Sequence, residues 1–196
     1  MAKKQTLRDV QAQETYNKLL DMSMHLMKKY DYTKVTISQI CDACGYAKGT
    51  FYNHFNSKID MLFEISIQQN IKVSKLFVYD KDKSASECYL EFVNSYLKFV
   101  KINGNIFSKN IVMMLLSESM TGEKIGLSIQ KDYILYLLDR GKNEGEFSKE
   151  TSLEELYNLW RATIIGVFAL WGIEGERYDV VKDGYNTLAN LIKVIT

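Results

Sequence analysis

Residues 36–58 read TISQICDACGYAKGTFYNHFNSK and carry the most specific pattern in this chain. Thr36 is followed three residues later by Gln39, which is the spacing of a capping box, so a helix is expected to begin there. Gly45 suits the left-handed residue that commonly ends a helix. A second short helix is then expected at about residues 47–54. The stretch therefore predicts two short helices joined by a tight turn.

A longer helix is expected directly after this stretch. Ser57 and Asp60 have the spacing of a helix start, because a serine hydroxyl can accept a hydrogen bond from the backbone three residues on. The apolar pattern that follows predicts a helix reaching about Tyr79. A helix before the stretch is expected at about residues 9–29, from its stripe of apolar positions.

The two short helices each have an apolar and an outward face. The apolar residues of the first helix lie three, four and seven positions after its first apolar residue, and therefore on one face: Ile37, Ile40, Cys41 and Cys44. Phe51 and Phe55 of the second helix lie one turn apart and can join the same core. The remaining residues of the second helix then face outward, as those of a recognition helix do in the DNA major groove.

This pattern resembles the DNA-binding domain of the TetR (TetR/AcrR) family of transcriptional regulators. The shared residues are Thr-Ile-x-x-Ile-x-x-x-x-Gly-Tyr-x-Lys-Gly-Thr-Phe-Tyr-x-His-Phe-x-Ser-Lys, and the resemblance covers about residues 9–62. It implies contacts with DNA from Thr36, Ser38, Lys48, Gly49, Thr50, Tyr52, His54 and Lys58. Such contacts suit these residue types, because lysine and hydroxyl groups bind phosphates and glycine permits close approach. The resemblance also implies a homodimer on a double-stranded, palindromic operator, since one short helix reads few bases.

Composition and periodicity predict an all-α fold. The chain has 196 residues, of which 46% are hydrophobic and 25% charged, and it contains no proline. Spacings of three and four residues recur throughout and predict about nine helices. We expect an N-terminal three-helix helix-turn-helix domain at residues 1–58 and a C-terminal helical ligand-binding and dimerisation domain at residues 59–196. The net charge of +1 is too small to indicate DNA by itself.

The sequence also argues against several other classes of protein. No apolar run approaches the roughly 18–20 residues of a membrane span, and the N-terminus lacks the apolar stretch of a signal peptide. We therefore expect a cytoplasmic protein with no membrane partner. No nucleophile with a base, glycine-rich phosphate loop or set of metal ligands is recognisable. We expect no enzyme activity, no cofactor and no metal site.

The C-terminal part contains aromatic and methionine-rich helical stretches that can form either a core or a small-molecule cavity. An apolar cavity with a few polar groups would suit an effector whose binding releases the protein from DNA, as expected of a repressor. The candidate lining residues are Tyr89, Phe92, Tyr96, Asn110, Met113, Met114, Ser117, Tyr136, Tyr157 and Arg161. No clear acidic or basic cluster indicates the charge of this unknown effector.

The last two helices carry small residues on apolar stripes, which allow another helix to approach closely. The candidate dimer residues are Ala162, Gly166 and Ala169 in one helix, and Val181, Gly184, Tyr185, Leu188, Leu191 and Ile192 in the next. Two such helices from each subunit would form a four-helix interface. The alternative is that both stripes complete the core of the monomer.

Two other functions remain open at this point. A DNA-bound factor of the same fold could act mainly through a protein partner. Cys41 and Cys44 have the spacing of a redox pair or of half a metal site, and so a thiol sensor is also conceivable. Both cysteines lie on the apolar stripe, however, and a buried free cysteine behaves as a small hydrophobic residue. Core packing is the favoured interpretation.

Overall fold

The computed structural model describes residues 6–116 and 127–195, and these ranges contain only helices and connecting segments. The all-α prediction is confirmed. The nine α-helices of the described ranges are α1 (Leu7–Lys29), α2 (Ile37–Cys44), α3 (Lys48–Tyr52), α4 (Lys58–Ser74), α5 (Ala85–Asn103), α6 (Asn105–Leu115), α7 (Leu127–Glu144), α8 (Leu153–Glu174) and α9 (Lys182–Ile195). Short 3-10 turns occur at Tyr32–Lys34 and Gly175–Arg177.

The predicted boundaries of α2 are confirmed by its hydrogen bonds. The backbone N–H of Gln39 donates to the Thr36 hydroxyl at 3.2 Å, and the backbone N–H of Thr36 donates to the Gln39 side chain at 2.8 Å. Gly45 ends the helix with a φ of 72°, which a side chain at this position would disfavour. At the start of α4, the Ser57 hydroxyl accepts from the backbone of Asp60 at 3.1 Å.

Two helices end earlier than the sequence suggested. α3 ends at Tyr52, and α4 ends at Ser74 instead of near residue 79. The hydroxyl of Tyr133 in α7 accepts from the Val78 backbone N–H at 2.9 Å and lies 3.0 Å from the Val78 carbonyl. The Tyr133 hydroxyl thus satisfies the backbone N–H and carbonyl of Val78. In a longer α4, backbone groups of the same helix would have filled that role.

The buried apolar residues form two clusters that meet along α4. The first cluster joins α1, α2, α3 and the first half of α4 as far as Ile65, and it includes Phe107 and Met114 of α6. The second joins α5, α7, α8 and α9, and includes Val73 at the other end of α4. The division at residues 58 and 59 stays a prediction. α4 belongs to both clusters, and α6 contributes Phe107 and Met114 to the first while Val112 packs against the second.

The long apolar helix of the chain is α8. Residues Leu153–Arg177 contain a window with a mean hydropathy of 1.3 that is 39% buried, so this one segment of the described chain could cross a membrane by length and composition. This corrects the expectation that no apolar run reaches that length. Core helices pass the same test, and Trp160, Ile164 and Trp171 place one side of α8 in the second cluster. The other side is solvent-facing.

Candidate nucleic-acid interface and effector cavity

A shallow surface depression forms where the N-terminal ends of α2, α3 and α4 approach one another. It brings together five of the eight predicted DNA contacts, namely Thr36, Ser38, Lys48, Tyr52 and Lys58, with Thr33, Val35 and Ile37 between them. Tyr52 is 57% exposed, although its ring packs edge-on against that of Phe51. No atom lies within 4 Å of a Cβ built on Gly49, so the space above that residue is open.

Phe51 and Phe55 hold α3 against the rest of the first cluster. Phe51 is fully buried, and its ring centroid lies 5.3 Å from that of Phe55. Phe55 in turn stacks on Tyr16 of α1 at 5.1 Å. Because these rings occupy one side of α3, Lys48 is left on the exposed side. This arrangement can present a lysine, a glycine and a tyrosine to a groove of DNA.

His54 lies outside α3. It follows the end of the helix, is half-buried, and has its ring centroid 6.0 Å from that of Tyr16. Thr50 is also half-buried. The DNA contacts predicted for these two residues stay predictions, and the packing of His54 against α1 gives it a structural contact as well.

Lys58 is bound within its own chain. Its ammonium donates to the backbone carbonyls of Tyr32 and Val35, each at 2.6 Å, and lies 4.0 Å from the centroid of the Tyr32 ring. Burial lowers the pKa of Lys58. These bonds fasten the first turn of α4 to the loop between α1 and α2. The phosphate contact of Lys58 stays a prediction, whereas its hydrogen bonds show that it positions that loop.

Asn110 holds the same loop from the other side. Its side-chain nitrogen donates to the carbonyls of Met27 at 2.9 Å and Tyr30 at 3.0 Å, and its oxygen accepts from the Tyr32 backbone at 2.7 Å. The side chain is fully buried. These backbone groups lie beyond the last helical bonds of α1 and need other partners. Asn110 was predicted to line an effector cavity, and the structure corrects this: Asn110 joins α6 to the end of α1 and the loop that follows it.

An internal cavity lies between α4, α5, α6 and α8, with a volume of about 70 Å³. Its lining residues are Ser66, Gln69, Asn70, Val73, Tyr96, Phe99, Val100, Asn103, Phe107, Ser108, Ile111, Leu115, Ile164, Ile165 and Phe168. A polar network adjoins its wall, because Gln130 of α7 donates to Asn70 at 2.8 Å and to the Tyr96 hydroxyl at 3.0 Å. The side-chain oxygen of Gln130 is buried and has no hydrogen-bond partner among the described residues.

The predicted effector residues are mostly elsewhere. Of the nine that fall in the described ranges, Tyr96 alone lines this cavity, and Ser117 lies outside those ranges. Tyr89 donates to the Leu188 carbonyl at 3.1 Å, and Phe92 packs edge-on against Tyr133. The other five have core or surface positions: Met114 is buried in the first cluster, Tyr157 stacks on Trp160, and Met113, Tyr136 and Arg161 are exposed.

The cavity residues that the sequence did not identify come largely from α4. Ser66, Asn70 and Val73 lie at i, i+4 and i+7, and therefore on one face of the helix. Small and amide side chains within an apolar stripe were a usable signal. Periodicity shows which face of a helix is inward, but the position of a gap depends on how several helices pack together.

The predicted dimer residues fall into two groups. One side of α8 carries a series of apolar residues, the α8 stripe: the exposed Leu159, Ala162, Leu170 and Ile173 and the half-buried Gly166, with Ala169 half-buried beside it. On α9, Leu188 and Ile192 are buried in the second cluster, and Val181, Tyr185 and Leu191 pack partly against it. A Cβ on Gly184 would lie 2.9 Å from Val167, so Gly184 permits close packing of α9 on α8 within one chain.

The inward position of Gly184, Leu188 and Ile192 corrects their assignment to an intersubunit surface. The stripe that contains them completes the core of the monomer, which was the alternative reading of the sequence. The α8 stripe faces away from the second cluster and has no partner within the described chain. It is therefore the surface best suited to a second subunit.

Cys41 and Cys44 are buried in the first cluster. The thiol of Cys44 lies 3.6 Å from the Lys18 carbonyl. Burial raises the pKa of both thiols, so the reactive thiolate is disfavoured. No group of three or more residues suited to a metal is found in residues 6–116 and 127–195. The geometry supports core packing for both cysteines.

Cys88 is buried like Cys41 and Cys44, and the burial of all three cysteines predicts slow reaction with a thiol reagent. In native protein at neutral pH, the disulfide reagent DTNB should modify the thiols only at the rate of local opening, whereas urea-unfolded protein should react at once. A redox pair would instead give two rapidly modified thiols in the native state, which would contradict the packing interpretation.

The short exposed α3, seated on α1 and α2 and joined to a larger helical domain, defines the class of helix-turn-helix regulatory proteins. Residues 19–65 match the family model described as bacterial regulatory proteins, tetR family. The helix-turn-helix of this chain is therefore similar to those of the TetR family of transcriptional regulators, and the match covers residues 19–65 and not the C-terminal helices. The predicted family resemblance is confirmed.

A relative in sequence is the uncharacterized HTH-type transcriptional regulator YwcC of Bacillus subtilis (strain 168), which is 30% identical over 70 residues. The matched region spans 36% of this chain and 31% of YwcC, about a third of that protein's length. The likeness to YwcC therefore concerns one part of each chain.

Several solved structures have the same fold over nearly the whole chain. FadR from Bacillus subtilis, in complex with stearoyl-CoA, has a TM-score of 0.78 at 18% identity and covers 92% of this chain and 100% of its own. FadR from Bacillus halodurans has a TM-score of 0.73 at 21% identity, with the same two coverages. NalD, the secondary repressor of the MexAB-OprM multidrug efflux pump in Pseudomonas aeruginosa, has a TM-score of 0.63 at 17% identity over 95% of this chain and 98% of its own. At these identities the likeness concerns the fold alone.

Proposed function

We propose that the protein is a cytoplasmic transcriptional repressor that binds a palindromic operator as a homodimer and is released by a small molecule. One observation carries the proposal. The two helices α4 and α6 line the internal cavity, and the same two helices hold the loop that precedes the helix-turn-helix, through Lys58 and Asn110. A change in the cavity therefore has two direct connections to the DNA-binding surface.

The size of the cavity supports a switch. A volume of about 70 Å³ is small for an organic ligand, since an engineered cavity that holds benzene measures roughly 150 Å³. An effector must therefore move part of the wall to bind. Displacement of α4 or α6 would carry the α1–α2 loop with it and alter the separation of the two recognition helices. A ligand that prefers the displaced state by about 1–3 kcal/mol is sufficient for regulation.

The α8 stripe supports the homodimer. It is apolar, contains Ala162 and Gly166, and runs along the side of α8 opposite the second cluster. Small residues let two helices approach closely, and two-fold pairing would place one recognition helix at each half-site of a palindrome. The effector we propose is largely apolar, as is the wall of the cavity. The structural likeness to a FadR in complex with stearoyl-CoA is compatible with this class of ligand.

Operator binding tests the proposal. A duplex enriched by the protein from a random pool should contain an inverted repeat, and Lys48→Ala or Tyr52→Ala should each weaken its binding roughly tenfold, because each variant removes a contact worth about 1–3 kcal/mol. If Lys48 contacts a phosphate, its loss should also reduce the slope of log affinity against log salt by about one. Fluorescence anisotropy at several salt concentrations measures both quantities.

The matched control is Lys98→Ala, which removes an exposed lysine from α5, in the other core cluster. It should leave operator affinity unchanged. Equal losses of operator affinity in Lys48→Ala and Lys98→Ala would show that any lost positive charge weakens binding. That result would contradict the proposed DNA-binding surface. Failure of every cavity-filling ligand to change operator affinity would contradict the switch.

A further inference from the structure

We propose that the effector is an amphiphilic anion, whose apolar chain enters the internal cavity and whose anionic head group binds in a groove between Lys28 and Lys72. The inference rests on the proposed function, because it names the ligand class of the same effector site. The groove lies between α1, α4 and α5, and is lined by Leu20, Asp21, Met24, Lys28, Ile65, Gln68, Gln69, Lys72, Phe99, Ile102 and Asn103.

The groove and the cavity are neighbours. Gln69, Phe99 and Asn103 line both spaces, so these three side chains form part of the wall between them. The groove has a volume of about 260 Å³, against about 70 Å³ for the cavity. Movement of Gln69 and Phe99 would join the two into one elongated site. The cavity lining contains no exposed residue, whereas the groove lining includes the exposed Asp21, Lys72 and Ile102.

The charges in the groove favour an anion. Lys28 of α1 and Lys72 of α4 are brought to the same groove, and neither takes part in an ion pair found among the described residues. Burial, and then the charge of Lys72, lowers the pKa of Lys28. Asp21 is the one carboxylate in the lining, against two ammonium groups. An anionic head group would relieve the repulsion between the two lysines and offer each a partner.

The remaining lining fits the rest of an amphiphile. The side-chain amides of Gln68 and Gln69 can donate hydrogen bonds to head-group oxygens. Leu20, Met24 and Ile65 make part of the groove lining apolar. Each lysine also lies in the last turn of its helix, where a cation offsets the helix dipole. That local role does not require two lysines from different helices to share one groove.

The position of the head group would couple binding to DNA release. Lys28 belongs to the helix on which α2 and α3 are seated, and Lys72 belongs to the helix that lines the cavity. An anion held by both would fix the distance between the ends of α1 and α4. The head group of the ligand would then act on the DNA-binding domain directly, in addition to the effect of its apolar chain in the cavity.

Calorimetric titration without DNA tests the site with three probes of one chain length, namely dodecanoate, dodecyl phosphate and dodecanol. Both anions should bind at least roughly tenfold more tightly than the neutral alcohol, since charge-assisted hydrogen bonds add to the apolar contribution. The double variant Lys28→Gln with Lys72→Gln should lose that advantage and bind dodecanol as before. The matched control, Lys29→Gln with Lys75→Gln, changes two exposed lysines outside the groove lining and should retain the wild-type preference.

Equal affinity for dodecanol and the two anions would overturn the site, as would an equal loss of anion binding in the control variant. Preference for one anion would identify the head group as carboxylate or phosphate. Two other outcomes distinguish a failure of the proposed function from a failure of the anion site. If the anions bind with the expected lysine dependence but leave operator affinity unchanged, the site stands and the switch is wrong. If only neutral apolar compounds release the operator, the switch stands and the anion site is wrong.

Discussion

Replacement of Leu170 and Ile173 by glutamate should give a folded monomer that binds the operator at least roughly 100-fold more weakly than the wild type. The two residues lie on the exposed α8 stripe, so the charges remain in water in a monomer and cost little stability. In a dimer they would face apolar residues and each other across the two-fold axis. A monomer engages one half-site at a time and loses the multivalent gain of roughly 10²–10⁴. Sedimentation velocity measures the state of association, and fluorescence anisotropy measures the affinity for the operator.

A matched pair of single variants separates dimerisation from a general effect of charge. Ile173 is 75% exposed on the α8 stripe, and Leu116 is 78% exposed beyond the end of α6. Ile173→Glu should shift the protein towards monomer, whereas Leu116→Glu should leave the association unchanged. A wild-type protein that sediments as a monomer at micromolar concentration, or variants that remain dimeric, would contradict the α8 interface.

Asn110→Leu should lower the free energy of unfolding by about 3 kcal/mol. Leucine has a similar size but no polar atoms, so the carbonyls of Met27 and Tyr30 and the N–H of Tyr32 lose their bonds to this side chain. A buried polar group left without a partner costs about 1–3 kcal/mol, and partial hydration of the loop reduces the sum. Urea denaturation measures the change. The variant should also bind the operator with less dependence on effector, because α6 no longer holds the α1–α2 loop.

Lys109→Ala is the control, because it changes the adjacent residue of α6 and affects the same loop. Lys109 forms an ion pair with Asp31 at 3.1 Å, with both side chains partly exposed. Exposed pairs contribute about 0–1 kcal/mol, so this variant should be nearly as stable as the wild type. Equal stability of Asn110→Leu and Lys109→Ala would show that Asn110 is not the principal link.

The helix-turn-helix was the most predictable part of the protein. The capping box at Thr36, the left-handed glycine at position 45 and the serine cap of α4 are all found as expected. Each depends on hydrogen bonds or backbone angles within about four residues, and such local geometry is encoded by the residues concerned. The surface that these helices present follows from the same periodicity.

The effector site was the least predictable part. Its aromatic and methionine candidates were correctly recognised as lying on helices, but most of them fill cores or surfaces instead of the cavity. Ser66 and Asn70 of α4 line the cavity, although neither was among the predicted residues. A gap between four helices depends on the relative positions of all four, and no single helical pattern contains that information.

The sequence alone was sufficient for the family resemblance, the all-α class and the boundaries of the recognition unit, because short-range bonds and a distinctive motif specify them. Tertiary structure was needed for the residues that connect this unit to the rest of the protein. Asn110 bonds to a residue 83 positions away, and Lys58 to one 26 positions away. Gly184 has a packing role that appears only beside Val167 of α8. Such partners are brought together by burial of the two apolar clusters, which depends on the whole chain.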